Sequence, residues 1–305
     1  MLEILLLHFF GRIDILYIFL AMNSRGSVRW AFSFGSWHPT EPQFQLAASC
    51  IQDEEKIRIG RFVFKKDAKA SLVGRLLMRK YASENSCFPY ADIRFGRDDR
   101  GKPYLIGDEE GKSMLNFNVS HQGKYAVLAG ESRNNVKIGV DVMKFEYSGG
   151  KTLSEFFRIM TRHFSPFEWE AIRGTHTTSD KLRLSMFCRH WCLKESYVKA
   201  TGTGIAVDLQ KISFKIKTSD LRIDAVVTDT ELYINGTHLE DWNFEESLLD
   251  ENHCVAVALN GKGRDSDPVT FKFLDFSELM SGSKPLLSVD PVYSENFFKK
   301  EEKPL

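Results

Sequence analysis

Val136, Ile138, Val140 and Val142 alternate with other residues, which is the period of a β-strand with one apolar face. Asp141 and Met143 share the opposite face. Asp is depleted from strands, so an acid inside so apolar a run needs a reason. An edge position or a strand end facing water would supply one without any chemistry. Residues 182–200 follow a helical period instead, with Leu184, Cys188, Trp191 and Val198 on one stripe. Glu195 falls on that same stripe, four residues after Trp191 and three before Val198. A carboxylate on a buried face needs a cation, a metal or a raised pKa, because burying it bare is very costly. Lys199 follows one turn later, and the plain reading is a helix-stabilising pair worth about 0.2–0.5 kcal/mol on a solvated surface. The stripe argues for more than that.

The remaining pattern gives a strand over 28–35 and a helix over 66–82 with Ala68, Leu72, Leu76 and Leu77 on one face. Gly101-Lys102-Pro103 reads as a turn. Strands over 115–119 and 125–129 flank a Ser120–Gly123 turn, and residues 154–173 read as one helix carrying Phe156, Phe157, Phe164 and Trp169. Gly202 ends the helix over 182–200. Short strands are expected near 210–216, 223–227 and 231–234, then a longer one over His253–Leu259. Beyond Gly261 the chain turns polar and reads as a loosely packed tail. His121 before Tyr125–Gly130 is echoed faintly by His253 before Val255–Gly261. Two similar α+β halves, 23–135 and 136–262, would follow, with a site in the cleft between them. An apolar extension over 1–22 and a tail over 263–305 complete the division.

The 305 residues fit two domains, and an apolar content of 43% is ample for a core. Lys+Arg 41 balance Asp+Glu 41, which argues against a nucleic-acid partner and requires any anion site to be a local basic cluster. Five Cys without a C-x-x-C, and scattered His, argue against a disulfide framework or a zinc site and suit a reducing compartment. Residues 1–22 are apolar but carry Glu3, His8, Arg12 and Asp14, which spoils both a transmembrane span and a signal peptide. Met22 before a polar run reads as an alternative start, and the stretch before it as a non-essential extension; a weak membrane anchor is the other reading.

Should Asp141 and Glu195 converge, two carboxylates with open positions would suit Mg²⁺, which keeps waters and takes substrate phosphates. Arg97, Arg100 and Lys102 cluster around Gly101, where the chain can turn tightly and let a ligand approach, and Arg58 adds to the basic count. A solvated loop is the plain alternative, and the better one for Asp98-Asp99. Together the carboxylates and the basic loop point to a phosphorylated substrate. Asn118-Val119-Ser120-His121 allows three readings: ligand contacts at a strand end, a structural histidine, or a Ser/His hydrolase with Asp141. No G-x-S-x-G elbow surrounds Ser120, which weighs against the hydrolase.

Gly139-Val140-Asp141 followed by Trp191-Cys192-Leu193-Lys194-Glu195-Ser196 resembles the G-[IV]-D and W-x-x-K-E-[AS] pair of the Sfp-type 4'-phosphopantetheinyl transferases. Gly101-Lys102-Pro103 and Asn118–His121 match as well, and the likeness is greatest to the animal members, from about Val28 through the tail segment Phe271–Met280. The resemblance implies two pseudo-symmetric α+β halves with coenzyme A in the cleft. It implies transfer of 4'-phosphopantetheine to a serine of an acyl or peptidyl carrier domain, with release of adenosine 3',5'-bisphosphate. Asp141 and Glu195 would hold Mg²⁺ or Mn²⁺, with Glu195 also the base and Lys199 a phosphate holder and catalytic cation. Arg58, Arg97, Arg100, Gly101 and Lys102 would take the nucleotide phosphates, and Asn118, Val119, Ser120 and His121 would contact coenzyme A. Implied partners are the carrier domains of fatty acid synthase and of aminoadipate-semialdehyde dehydrogenase, for a cytosolic monomer that does not use a membrane. Many bacterial members place a second acid where Met143 stands, so water would fill that ligand position. A carrier-binding homologue without activity is the non-enzymatic alternative.

Overall fold

The computed structural model describes residues 27–107, 115–131, 136–147, 150–204, 207–260 and 267–302. The expected extension over 1–22 and the expected junction at 135 lie outside them.

The first sheet is built from β1 (Val28–Ser33), β4 (Asn116–Gln122) and β5 (Tyr125–Glu131), with β5 antiparallel to both neighbours. Helices α1 (Glu41–Ser49), α2 (Asp53–Gly60) and α3 (Lys65–Asn85) separate β1 from the hairpin of β2 (Arg94–Arg97) and β3 (Pro103–Ile106). Helix α3 buries Leu72, Leu76, Leu77 and Tyr81 in one core with Trp30, Phe32, Phe117 and Leu128 of this sheet. The second half opens with β6 (Lys137–Lys144), followed by α4 (Leu153–Ile159), α5 (Pro166–Arg173) and α6 (Asp180–Thr201). A small sheet of β7 (Ile212–Lys215), β8 (Glu231–Ile234) and β9 (Thr237–His238) comes next. β10 (Trp242–Asp250) and β11 (His253–Asn260) then complete a sheet of order β10-β11-β6. In both main sheets a strand, a long helix and a hairpin follow in turn, and the opening strand pairs antiparallel with the last. The apolar face of β6 meets Val127 and Ala129 of β5 in a third core between the sheets, while Cys188, Cys192 and Leu193 of α6 pack on the other side with Ala256 and Ala258.

Strands β4 and β6 lie side by side, joined through side chains. Asn118 Oδ1 accepts from Val140 N at 2.9 Å and Gln122 Oε1 from Lys144 N at 2.6 Å. Both bonds advance by the same four residues on each strand, so the strands run parallel and two amides stand where ladder bonds would be. The faint repeat falls on β5 and β11, an inner strand of each sheet. Its histidines are not equivalent, because His121 belongs to β4 and His253 to β11 itself.

Four expectations need correction. The Ser120–Gly123 turn is shorter than read, because β4 runs on through Gln122 and pairs with Tyr125. The helix over 154–173 is broken, because Ser165 caps a new helix with Pro166 in its first turn and Glu168 closing a capping box. The segment 223–227 contributes a single bridge, Val227 to Glu246, rather than a strand. The tail is not loosely packed. β12 (Lys272–Phe273) adds to β1 in parallel, and α7 (Phe276–Met280) and α8 (Pro291–Phe298) bury Leu279 and Phe297 in the first core. Phe297 stacks on Phe44 with centroids 3.8 Å apart. Replacing Phe297 with alanine should cost about 3–5 kcal/mol, read from urea unfolding followed by tryptophan fluorescence; an unchanged midpoint would mean the tail is dispensable to the core. Among the described residues no helix is long and apolar enough to cross a membrane.

Candidate active site

Helix α6 starts where Ser179 accepts from Leu182 N and ends at Gly202, whose φ of 65° is the left-handed turn that favours glycine. It lies closely on β6 because residue 139 is glycine. A Cβ there would collide with Ser196 O and Ala200 N, so a side chain would push the helix off the strand. That close approach brings Asp141 under the last two turns of the helix. Asp141 is 6% exposed, although β6 is the outer strand of its sheet. Its Oδ1 accepts from Lys199 Nζ at 2.6 Å and from Ser120 Oγ at 2.8 Å. The same ammonium donates to Ser120 Oγ at 2.8 Å and to Val140 O at 3.2 Å. Lys199 thus turns to the acid of the strand below it, and the helical spacing to Glu195 does not decide its partner.

Glu195 lies half-buried in the wall of a cavity of about 580 Å³, with Trp191 and Val198 beside it. Burial raises its pKa first, the Asp141 charge raises it further, and Lys199 opposes both. The Asp141 charge thus reaches Glu195. The far wall is the β2–β3 turn with Arg100, Gly101 and Lys102, joined by Asn118 and Val119 of β4. Asp98 is this turn's anchor, its Oδ1 accepting from Arg100 N at 3.0 Å and Lys102 N at 2.8 Å, and Gly101 takes a φ of 81°. Arg100 donates to Gly202 O, and Lys102 Nζ to Lys199 O at 3.4 Å. Two cations of one half thus satisfy carbonyls at the C-terminus of the other half's helix.

Arg58 and Arg97 stand apart from the cavity wall. Arg58 meets Glu55 at 3.2 Å, and Arg97 meets it at 2.8 Å while donating to Gly101 O at 2.9 Å. Arg75 of α3 joins the same carboxylate at 3.4 Å. Its pKa falls to about 10, chiefly through burial and despite Glu55, so it stays charged at neutral pH. Glu55 and Arg75 escaped the sequence reading, because their convergence with Arg97 joins three elements and leaves no spacing to read. His121 follows Ser120 on β4 and reaches the surface; partial desolvation of its ring, then Lys199 and Arg75, lower its pKa. Successive residues of a strand face opposite ways, so His121 does not address the Ser120 hydroxyl. The Ser/His hydrolase arrangement is absent: Ser120 Oγ is engaged by Asp141 and Lys199. Met143 packs against the second core on the Asp141 face of β6.

The cavity thus brings together Glu195, Lys199 and the basic β2–β3 turn, with Asp141 held by Lys199. A family model described as 4'-phosphopantetheinyl transferase, N-terminal, matches residues 35–133, and one for the 4'-phosphopantetheinyl transferase superfamily matches residues 137–258. The chain belongs to the 4'-phosphopantetheinyl transferases. It is 44% identical over 289 residues to the L-aminoadipate-semialdehyde dehydrogenase-phosphopantetheinyl transferase of Xenopus laevis, covering 92% of this chain and 94% of that protein. Identity to the protein of that name from Homo sapiens is 42% over 300 residues, covering 94% and 96%. A 4'-phosphopantetheinyl transferase of Bacillus subtilis is 31% identical over 177 residues, covering 58% of this chain and 70% of its own. The two family matches meet between β5 and β6, where the first sheet ends and the second begins. As a phosphopantetheinyl transferase the enzyme takes coenzyme A as substrate and acts on carrier-protein domains. Among the described residues no group of three or more His, Cys, Asp or Glu gathers as a metal cluster. Glu195 lines the cavity, while Asp141 is buried and held by Lys199 and Ser120; two hard oxygen donors of this kind suit an ion that takes its other ligands from water and phosphate.

Proposed function

We propose that the chain transfers 4'-phosphopantetheine from coenzyme A to a carrier serine in a Mg²⁺-dependent reaction in this cleft, flanked by halves 23–135 and 136–262. The observation that carries the assignment of the site is the Lys199–Asp141 ion pair at 2.6 Å on the helix that sets Glu195 in the cavity wall. Asp141 and Glu195 are the residues that would hold Mg²⁺ or Mn²⁺, and the ion would offset the pyrophosphate charge when bound. Glu195, with its raised pKa, is suited to take the proton of the carrier serine hydroxyl. The serine oxygen forms a bond to the β-phosphorus as the bond to the bridging oxygen breaks, and adenosine 3',5'-bisphosphate leaves with that oxygen. Lys199 holds its ammonium at Asp141, ready for the charge that develops on the leaving phosphate. Arg100 and Lys102 are within the same cavity wall and would receive phosphate oxygens in exchange for the helix carbonyls they now cap. Arg58 and Arg97 would hold the nucleotide phosphates from their place around Glu55, and Asn118, Val119, Ser120 and His121 would contact the coenzyme. Carrier domains of aminoadipate-semialdehyde dehydrogenase and of fatty acid synthase are the proposed partners, for a monomer in the cytosol.

Incubation of an apo acyl carrier protein with coenzyme A, Mg²⁺ and the enzyme should raise the carrier's intact mass by one phosphopantetheine, and chelation with EDTA should stop it. An unchanged carrier mass would reject the transfer. A fluorophosphonate probe should leave Ser120 unlabelled, since His121 does not reach its hydroxyl; an adduct on Ser120 in the tryptic map would restore the hydrolase.

A further inference from the structure

Lys194, which precedes Glu195, takes no part in the cleft. Its side chain enters the core between α5, α6 and β7 and is 1% exposed, against 0% for Glu168, which it meets at 2.9 Å. The ammonium also donates to Leu209 O at 2.9 Å and to Ile212 O. Its three donors therefore have three acceptors. Glu168 is as fully used. Its Oε2 accepts from Ser165 N at 2.8 Å and Ser165 Oγ at 3.1 Å, and its Oε1 from Phe214 N at 3.2 Å. The rings of Phe164 and Phe214 lie 5.3 Å and 5.9 Å from the ammonium and seal the pair from water.

A buried ion pair is a poor device for stability alone, because well-packed apolar residues of similar volume often serve as well. It is a good device for orientation. The pair ties α6 to the start of α5, to the turn at Leu209 and to the start of β7, each through a directed bond. Leu209 also lines the cavity that Glu195 faces, as does His163, two residues before Ser165. Adjacent residues project about 100° apart around a helix, so fixing Lys194 in the core fixes the direction of Glu195. We propose that Lys194, through Glu168, is a positioning residue for the transfer: it sets the rotation of α6 that aims the Glu195 carboxylate at Asp141. This rests on the reading of Glu195 as a working residue of phosphopantetheinyl transfer.

The test uses the full chain, an apo acyl carrier protein, and Mn²⁺ binding followed by the electron paramagnetic resonance of the free ion. E168Q and K194M, assayed well below their melting midpoints, should keep the coenzyme A KM within about threefold while kcat falls by about 10- to 100-fold. Mn²⁺ binding in the presence of coenzyme A should weaken in parallel. A kcat and an Mn²⁺ affinity both within about twofold of wild type in a folded variant would overturn the proposal. Where a single variant fails to fold, the double variant K194M/E168M removes both charges together. A folded double variant with the same kcat loss supports the positioning role, whereas one with wild-type kcat overturns it by showing that the pair serves the fold alone. Failure of the wild-type protein itself to modify the carrier overturns both this proposal and the function on which it rests.

Discussion

Replacing Glu195 with glutamine should lower kcat for carrier modification by about 10²- to 10⁴-fold, while coenzyme A still binds. Glutamine keeps the volume and the hydrogen-bonding reach of the side chain but can neither take a proton nor supply a charged oxygen to a cation. Burial and then the Asp141 charge raise the Glu195 pKa, with Lys199 opposing. The basic turn that should receive the phosphates belongs to the other half and is untouched. Intact-mass kinetics on an apo acyl carrier protein, paired with calorimetric titration of coenzyme A, separate the two effects. Turnover within about threefold of wild type would remove Glu195 from the chemistry.

Gly139→Val should be nearly as damaging, for a reason that has nothing to do with charge. A side chain at 139 meets the backbone of Ser196 and Ala200, and backbone cannot rotate out of the way as a side chain can. The helix must lift from β6, which costs about 3 kcal/mol or more in stability and lowers the melting midpoint by roughly 5 °C or more. Lys199 and Asp141 stand on the two surfaces that separate, so their 2.6 Å contact goes with them. Thermal unfolding by circular dichroism checks the first effect and carrier labelling the second. A variant that melts with the wild type would show that the helix has room the packing does not reveal.

Glu195 drew notice because it falls on an apolar stripe, where a polar residue needs a partner, and Asp141 because an acid is rare inside so apolar a strand. What lay beyond reach was the partner itself. Helical spacing offers Lys199 to Glu195, yet the sheet beneath the helix brings Asp141 to 2.6 Å from it. The same limit hid β10, whose Glu245 and Glu246 look like surface acids in sequence. In the fold Glu245 meets Arg29 at 2.7 Å and Glu246 meets Arg189 at 2.7 Å. Residues 154–173 were read as one helix because their aromatic period runs across the break, while Ser165-Pro166 with Glu168 three residues on carries the stop-and-start signal that should have outranked it. The tail misled by composition. Leu274, Leu279 and Phe297 are few and far apart among polar residues, and three sparse anchors suffice when each fills a waiting hollow.

The docking of that tail has a consequence for how the chain is made. β12 adds to β1, Phe297 stacks on Phe44, and Lys56 meets Asp290 at a separation of 234 positions. The first half of the polypeptide thus leaves the ribosome lacking a strand and part of its core, and waits for residues translated last. At about 5–20 residues per second that wait spans about ten to thirty seconds, during which the edge of β1 and the Phe44 hollow stand open to whatever else is near. The second half, with its strands and α6 contiguous in translation, has no such delay. Newly made enzyme would then depend on chaperones mainly for its amino-terminal half, and a chain stopped short of residue 271 would present the same open edge permanently.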